Sequence, residues 1–451
     1  MLVGCSGDDA TGSSAVASSS GETPSQGPFF HRDVAPILQA SCQSCHAPGG
    51  MAPFSLVTYD EARSVAPLIV VETEARRMPP WGARETDECQ PRHPFVGDAR
   101  LSDEQIAVLA AWSAAGALEG DPADAPPALT PKPSDLPDAD LVVSLQEPYA
   151  ARGTEDEFRC FVIDPGLTES RWIDGVHVVP GNPAATHHVD VYADPLGDGA
   201  ALAGPDGSYP CFSDPMIDDQ RMLHTFNPGM MPLELPAGVA MELPARSLLA
   251  LQVHYHPAGT TLPPDDLKVQ LRFTDSAPDQ ILDVLFLGNF SSAFDDGDGL
   301  LPGPGDGPGG PEFVIGANAS DHVEAMRFTW PASYGSPRIL GAAAHMHYVG
   351  RDMKIEVERP QRDAECLLQE PSWNIAWQRL FLYDTTIEAL PRLHGGDRVN
   401  LRCTYDNTMQ NPGVIKALSD QGLPSPIDVY LGEQVTDEMC LAILPLLYPN
   451  N

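Results

Sequence analysis

The sequence predicts a multidomain protein in which a small all-α segment is followed by two all-β sandwich subdomains. Apolar residues recur at helical spacing near the N-terminus, and a stretch rich in Pro and Asp follows them. From about residue 139 the chain changes to short alternating stretches separated by Pro, Gly and Asp, a pattern typical of β-sandwiches. The length of 451 residues allows about three domains of ~150 residues each.

The first expected element is a flexible N-terminus over residues 1–27. Its stretch Leu2-Val3-Gly4-Cys5 resembles the cleavage box of bacterial lipoproteins, and the Ser- and Gly-rich tract after it would be a tether. Cys5 would then carry a lipid and hold the protein in the bacterial periplasm or cell envelope. Because the basic and apolar parts of a signal peptide are missing, the alternative is an ordinary cysteine in a disordered tail.

Residues 28–118 are expected to be helical. The stretch "FFHRDVAPILQASCQSCH" has apolar residues at helical spacing. In "LSDEQIAVLAAWSAAGA", Ser102 is the expected N-cap, Gln105 completes a capping box and Gly116 ends the helix. The apolar stripe of this helix consists of Ile106, Leu109 and Trp112.

A linker and two β subdomains complete the expected order. Residues 119–138 are rich in Pro and Asp, so we expect a linker that lets the helical segment move relative to the rest. Alternating stretches such as "LLALQVHYH" and "MKIEVERP" then predict one sandwich over residues 139–282 and a second over residues 283–451.

The charge of the chain limits its possible partners. Lys and Arg number 26 against 63 Asp and Glu, which gives a formal net charge of -37. Such an acidic chain is repelled by phosphate backbones and anionic lipids. We therefore expect no nucleic-acid partner, and contact with a membrane only through the lipid on Cys5.

The run Cys42-Gln-Ser-Cys45-His46 fits the motif for covalent haem c attachment, in which two thiols bond the vinyl groups and the histidine reaches the iron. CxxC alone would also fit a zinc or redox site, but the adjacent histidine and the Cys-poor surroundings favour haem. Met78, in "EARRMPPWG", is the expected second axial ligand. An external electron donor to the haem would then be a partner. The rival axial ligands are Met51 and His93.

Histidines occur in close pairs in the β half. A lone histidine in a strand is usually structural, but three pairs among 13 histidines indicate metal binding. Alternate residues of a strand share one face, so a pair spaced by two presents its imidazoles together. Imidazole suits Zn, Cu, Fe or Ni, and the thioether of Met439 in the same set would favour Cu(I). The pairs are His187 and His188, His254 and His256, and His345 and His347.

Five ordered motifs carry a resemblance to a known family. "THHV", "LQVHYH", "HMHYVGRDM", "GDRVNLRCTYDNT" and "TDEMCLAIL" resemble the copper type II, ascorbate-dependent monooxygenases, the family of dopamine β-monooxygenase and peptidylglycine α-hydroxylating monooxygenase. The resemblance covers about residues 140–451 and implies two jelly-roll-like β-sandwich subdomains, each with one copper ion. "CHAPGGMAPFSL", "RMPPW" and "LSDEQIAVLAAW" in residues 28–118 likewise resemble small bacterial c-type cytochrome domains.

The resemblance assigns ligands to both copper ions. His187, His188 and His254 would hold the first copper, with His256 as a possible substitute for His254. Adjacent His187 and His188 cannot point to one face of a regular strand, so this site needs a strand end or a bulge. The second set of ligands would be His345, His347 and Met439.

The resemblance also implies a chemistry and a disulfide. The Met-containing copper would bind O2 and form the oxidant that removes hydrogen from a substrate C–H bond, and the all-His copper would deliver a second electron. Cys403 and Cys440 match a cysteine pair that forms a disulfide in the family. The remaining cysteines allow three pairings, and the sequence does not choose among them; they are Cys89, Cys160, Cys211 and Cys366.

The expected substrate pocket departs from that of the peptide-processing members. Those enzymes bind a terminal carboxylate through a basic residue, an Asn and a Tyr, and the corresponding residues here are Ala343, Leu441 and Ile443. We therefore expect a small-molecule substrate that presents an apolar or weakly polar C–H group. The fused cytochrome would supply electrons one at a time.

Two other classes of function fit some of the same residues. A non-catalytic periplasmic protein that stores copper or transfers electrons would need the same ligands. A zinc hydrolase could use three histidines, but no HExxH motif or nucleophile elbow accompanies them.

Overall fold

The computed structural model describes most of the chain, and 34% of the chain is strand and 16% helix. Predictions for Cys5, Met51 and His256 fall outside the described residues. The described residues are 27–48, 52–127, 135–151, 157–183, 185–211, 214–227, 230–255, 263–304, 306–360, 362–432, 434 and 436–450.

The N-terminal part is helical, as predicted. Ser102 accepts a hydrogen bond from the Gln105 N–H, and the Gln105 side chain accepts one from the Ser102 N–H, so the predicted capping box is present. A small apolar core joins these helices, with Phe30, Leu38 and Trp112 at its centre. The elements are a π-helical turn Phe30–Val34 and the helices α1 Ala35–Ser41, α2 Tyr59–Ser64, α3 Ala66–Glu74 and α4 Asp103–Ala114.

Two further α-helices and four 3-10 turns lie later in the described chain. None of the described helices is both long and apolar enough to cross a bilayer. The helices are α5 Gly199–Leu202 and α6 Pro412–Asp420, and the turns are Pro122–Asp124, Ala332–Tyr334, Ile375–Trp377 and Ile387–Ala389.

The β region consists mainly of strands and loops, and burial alternates along β17 and β20, as the sequence pattern predicts, whereas β9 is buried along almost its whole length. The strands of the first half are β1 Leu141–Ser144, β2 Glu157–Ile163, β3 Arg171–Val179, β4 Thr186–Asp194, β5 Ser208–Pro210, β6 Arg221–Phe226, β7 Leu233–Glu234, β8 Val239–Leu243, β9 Leu248–Tyr255, β10 Lys268–Thr274 and β11 Gln280–Gly288. Those of the second half are β12 Gly299–Leu300, β13 Val314–Ile315, β14 His322–Thr329, β15 Arg338–Ile339, β16 Gly341–His345, β17 Gly350–Glu358, β18 Glu365–Glu370, β19 Phe381–Leu382, β20 Arg398–Tyr405, β21 Val429–Tyr430 and β22 Leu441–Pro449.

The described strands form one long sheet, two five-stranded sheets and a two-stranded sheet of β13 and β21. The long sheet runs β1-β10-β3-β8-β11-β22-β16-β19, with β7 and β15 at its sides. One five-stranded sheet has the order β5-β2-β9-β4-β6 and the other the order β12-β14-β20-β17-β18. Apolar residues of all four sheets share one core, as expected of a β-sandwich region.

Strand β11 connects the two halves of the β region. It pairs in parallel with β8 of the first half and antiparallel with β22 of the second half. The predicted boundary at residue 282 therefore lies inside a strand. Sequence alternation marks strands but not their partners, so it could not reveal that one sheet continues across this point.

Part of the segment predicted as one helical unit packs against the β region. We call residues 81–96 the docking segment. Trp81 and Phe95 belong to the large β core, and a disulfide joins Cys89 to Cys366 of β18. Helix α3 precedes the docking segment in the chain, and helix α4 follows it. The position of the helices therefore depends on the docking segment as well as on the linker over residues 119–138. The expectation of a helical segment moved only by its linker is corrected accordingly.

Candidate functional site

The first cluster of candidate ligands lies on neighbouring strands of the β5-β2-β9-β4-β6 sheet. We call His187, His188 and His254 the three-histidine cluster. In the pairing of β4 with β9, Thr186 lies opposite Tyr255 and His188 lies opposite His254, so His187 is an extra residue at a bulge. The bulge turns both adjacent imidazoles to one side, and the expectation of a strand irregularity at this point is confirmed.

The ring nitrogens of this cluster converge. His188 Nδ1 lies 3.4 Å from His187 Nδ1 and 3.3 Å from His254 Nδ1. Each residue offers a ligand atom, and these atoms all lie within 4.8 Å of one another. Phe158 stacks on the His254 ring with a centroid distance of 4.2 Å, which fixes the plane of that imidazole. Three converging imidazoles are a donor set that can hold a metal ion.

The second cluster lies at the end of β16. We call His345, His347 and Met439 the HxH–Met cluster. The strand ends at His345, and the two imidazole centroids lie 5.3 Å apart with perpendicular planes. Their rings are thus side by side, as expected for residues spaced by two in an extended chain.

Hydrogen bonds fix the tautomers of both imidazoles in this cluster. His345 Nδ1 donates to Gln378 Oε1, and His347 Nδ1 donates to the Asp437 carbonyl oxygen over 3.1 Å. Because each partner is an acceptor, each Nε2 keeps its lone pair for a metal. Burial lowers the pKa of His345, and burial together with His345 lowers the pKa of His347 to about 3. Both rings are therefore neutral, which metal binding requires.

A buried carboxylate connects the two parts of the HxH–Met cluster. Glu438 accepts hydrogen bonds from the N–H groups of His347, Val349 and Met439. Tyr405 donates to the Met439 carbonyl oxygen over 2.7 Å. Burial raises the pKa of Glu438 to about 8, and the N–H groups that it accepts from lower it. Glu438 thus holds the backbone of Met439 beside that of His347.

The expected pocket residues lie on one face of the long sheet. Ala343 is paired with Ile443, and His345 is paired with Leu441. Directly opposed residues of antiparallel strands share a face, so the three apolar side chains lie on the side of His345. Phe286 on β11 lies opposite Ile443 and is 39% exposed, which extends this apolar surface. A role for this surface in substrate binding stays a prediction.

The CxxCH run follows helix α1. Cys42 and Cys45 are not disulfide-bonded, and burial raises the pKa of the Cys42 thiol to about 12. His46 Nδ1 donates to the Phe54 carbonyl oxygen over 3.0 Å, so Nε2 is the nitrogen with a lone pair. Two thiols in place and a histidine with a fixed tautomer fit the requirements for covalent haem attachment.

The axial-ligand candidates differ in their surroundings. Met78 lines a small cavity in the helical part beside Leu101 and Ile106. His93 Nε2 donates to the Ala389 carbonyl oxygen over 2.9 Å, so this nitrogen is used in a contact with the β region. Among the described candidates this leaves Met78, and its role as an axial ligand stays a prediction.

Three disulfides lie within the described residues. The Cys403–Cys440 bond, which the resemblance implied, is present. The pairing that the sequence left open is Cys89 with Cys366 and Cys160 with Cys211. Disulfides persist in oxidising compartments, so the bonds indicate an extracellular or periplasmic environment.

Sequence reasoning missed three polar residues around the HxH–Met cluster. Gln378 accepts a hydrogen bond from the His345 ring, and Glu438 accepts one from the His347 N–H. Glu370 accepts a hydrogen bond from the Ala344 N–H. Only Glu438 had a sequence signal, because it stands immediately before Met439. Glu370 lies at the end of β18, and Gln378 follows the turn Ile375–Trp377. Their positions beside the histidines depend on how the strands pair, which the sequence alone does not show.

Comparison with known proteins adds no relative: no protein-family model matches this chain, and no curated protein matches it.

Proposed function

We propose that the protein is a copper-dependent monooxygenase that hydroxylates a substrate C–H bond with O2. The observation that supports this most is the presence of two separate histidine clusters of different composition. One cluster has three converging imidazoles, and the other joins two neutral imidazoles to the neighbourhood of Met439. The five ordered motifs that resemble the copper type II monooxygenases place the same residues in these two clusters.

The side chains of the HxH–Met cluster would prepare the site for Cu(I). His345 and His347 would donate through Nε2, and Met439 would supply a thioether, which favours the reduced ion. Copper bound there would supply one-electron chemistry with O2. The hydrogen bonds to Gln378 and the Asp437 carbonyl keep both Nδ1 atoms protonated and hold the rings in place. The all-imidazole cluster suits both oxidation states of copper and would hold the second ion.

The proposal includes a c-type cytochrome in the helical part and two jelly-roll-like copper-binding sandwiches in the β region. Cys42 and Cys45 would bond haem, His46 would be one axial ligand and Met78 the other. An external donor would reduce the haem, which passes on one electron at a time. A lipid on Cys5 would hold the protein at the membrane in the bacterial periplasm or cell envelope.

The substrate is proposed to carry an apolar or weakly polar group at the reacting carbon. Ala343, Leu441 and Ile443 offer no cation, so a substrate carboxylate placed among them would lose its hydration without a partner. We expect no measurable hydroxylation of C-terminal glycine peptides, and we expect Ala343→Arg to hinder turnover of the native substrate. The measurement is product analysis by mass spectrometry with both substrate types. Robust turnover of a glycine-extended peptide by the unmodified protein contradicts this expectation.

The experiment that tests the proposed function is incubation of the copper-loaded protein with cell extracts under 18O2. A hydroxylated product that carries one labelled oxygen is expected. Copper and haem present without any labelled product would instead support a non-catalytic electron-transfer or copper-binding protein. Zinc in metal analysis, with no Cu(II) signal in electron paramagnetic resonance, would support a hydrolase.

A further inference from the structure

The docking segment contacts one particular part of the β region. The N–H of Arg84 donates to the Gln369 carbonyl oxygen of β18 over 3.0 Å, and the N–H of Val96 donates to Leu382 of β19 over 2.8 Å. Strand β19 pairs in turn with β16, the strand that ends in His345. The docking segment therefore lies next to the half of the β region that contains the HxH–Met cluster.

A buried acidic side chain, Glu370 of β18, lies between the docking segment and strand β16, and burial raises its pKa to about 8. Glu370 is only 2% exposed, and its carboxylate accepts the N–H of Ala344, the residue before His345. The charge of Arg379 acts favourably on this carboxylate, and the guanidinium lies 5.0 Å from the centre of the Trp81 ring. A Cβ atom on Gly82 would collide with the Glu370 carboxylate. Gly82 therefore leaves room for the Glu370 carboxyl group directly against the docking segment.

Arg379 connects this contact both to the haem-attachment motif and to a candidate metal ligand. Burial lowers the pKa of Arg379, and the charges of Cys45 and Glu370 act to raise it. Gln378, which precedes Arg379 in the chain, accepts a hydrogen bond from His345 Nδ1. Cys45 would be one of the two cysteines that hold the haem, so Arg379 would be a β-region residue on the side of the haem attachment. The three-histidine cluster, in contrast, lies on β4 and β9 of the first half.

We propose that the contact of Trp81, Gly82, Glu370 and Arg379 holds the haem edge at Cys45 against the HxH–Met cluster, so that this cluster exchanges electrons with the haem. The inference rests on the proposed function and names the site at which an electron arrives. One electron leaves ferrous haem, which becomes ferric, and one Cu(II) becomes Cu(I). The transfer needs no bond change and no further reactant.

The first test is the Gly82→Ala variant of the full-length protein. The added methyl group overlaps the Glu370 carboxyl group and displaces it from the contact, and reoxidation of pre-reduced haem by bound Cu(II) without O2 is expected to slow by about tenfold or more. The readout is the absorbance of ferrous haem in a stopped-flow measurement. Gly316→Ala is the matched control, because a Cβ atom there has no neighbour within 4 Å, and its rate should equal that of the unmodified protein. An unchanged rate in Gly82→Ala contradicts the inference.

The second test asks which cluster accepts the electron and does not depend on Gly82→Ala folding. His347→Ala should remove copper from the HxH–Met cluster, and His254→Ala should remove it from the three-histidine cluster. We expect fast reoxidation of haem to persist in His254→Ala and to be lost in His347→Ala. The opposite pattern overturns the inference.

The two possible failures are distinguishable. If the unmodified protein lacks covalent haem or bound copper, the proposed function fails and the inference fails with it. If labelled product forms but the three-histidine cluster alone reoxidises the haem, only the inference fails.

Discussion

Met439→Leu is expected to abolish O2-dependent product formation while the fold stays intact. Met439 is buried, and its backbone is held beside His347 through Glu438. Leucine keeps the volume and the apolar character, so a packing role would tolerate the change at a cost below about 1.5 kcal/mol in stability. A ligand role instead predicts loss of turnover and at least about 10–100-fold weaker Cu(I) binding, as changes around metal ligands typically cause. The measurements are product yield, Cu(I) competition with a chelator and thermal unfolding.

Met353→Leu is the matched control for this change. Met353 is a fully buried methionine of β17 that lies opposite Cys403 and does not belong to the proposed ligand set. We expect this variant to keep both copper binding and turnover. Unchanged activity in Met439→Leu would remove Met439 from the ligand set and leave two histidines at that site.

Much of the second cluster could be predicted from short-range patterns. Two histidines spaced by two residues in a strand must share a face, and His345 and His347 do so. The adjacent pair His187 and His188 required an irregular strand, and the bulge at His187 provides it. These predictions succeeded because they depend on the period of a strand and not on which strands pair.

The long-range partners could not be predicted in the same way. The pairing of Cys89 with Cys366 joins residues 277 positions apart, and nothing local distinguishes it from the other possible pairings. Helical sequence lies on both sides of the docking segment, so the expected helical range of residues 28–118 includes Trp81 and Phe95. Their burial in the β region depends on the apolar surface of β19, which only the assembled sheet presents.

Buried acidic side chains were the hardest features to predict. Glu370 and Glu438 are among the most buried acidic residues described here, and both contact backbone N–H groups of residues at the HxH–Met cluster. A chain with 63 acidic residues gives no local sign of which carboxylates are buried. Their positions follow from register, since each carboxylate lies where a neighbouring strand end leaves N–H groups without an acceptor.

Glu438→Ala is expected to weaken copper binding at the HxH–Met cluster and to destabilise the fold. The change leaves the N–H groups of His347, Val349 and Met439 without their acceptor, and each unpaired buried donor costs about 1–3 kcal/mol. Because the same N–H groups fix His347 and Met439 relative to each other, Cu(I) affinity at this site should fall about 10–100-fold. Copper binding at the three-histidine cluster should not change. Chelator competition with the two sites resolved, together with thermal unfolding, measures both effects.

Two further variants separate positioning from general stability. In Glu438→Gln the amide oxygen can keep the acceptor position used by His347 and Met439, while the amide nitrogen faces the N–H of Val349. This variant should therefore lie between Glu438→Ala and the unmodified protein in Cu(I) affinity. Glu324→Ala removes another buried glutamate, which pairs with His322, and should lower stability without changing copper binding. Equal losses of copper affinity in Glu324→Ala and Glu438→Ala would reduce Glu438 to a residue that only stabilises the fold.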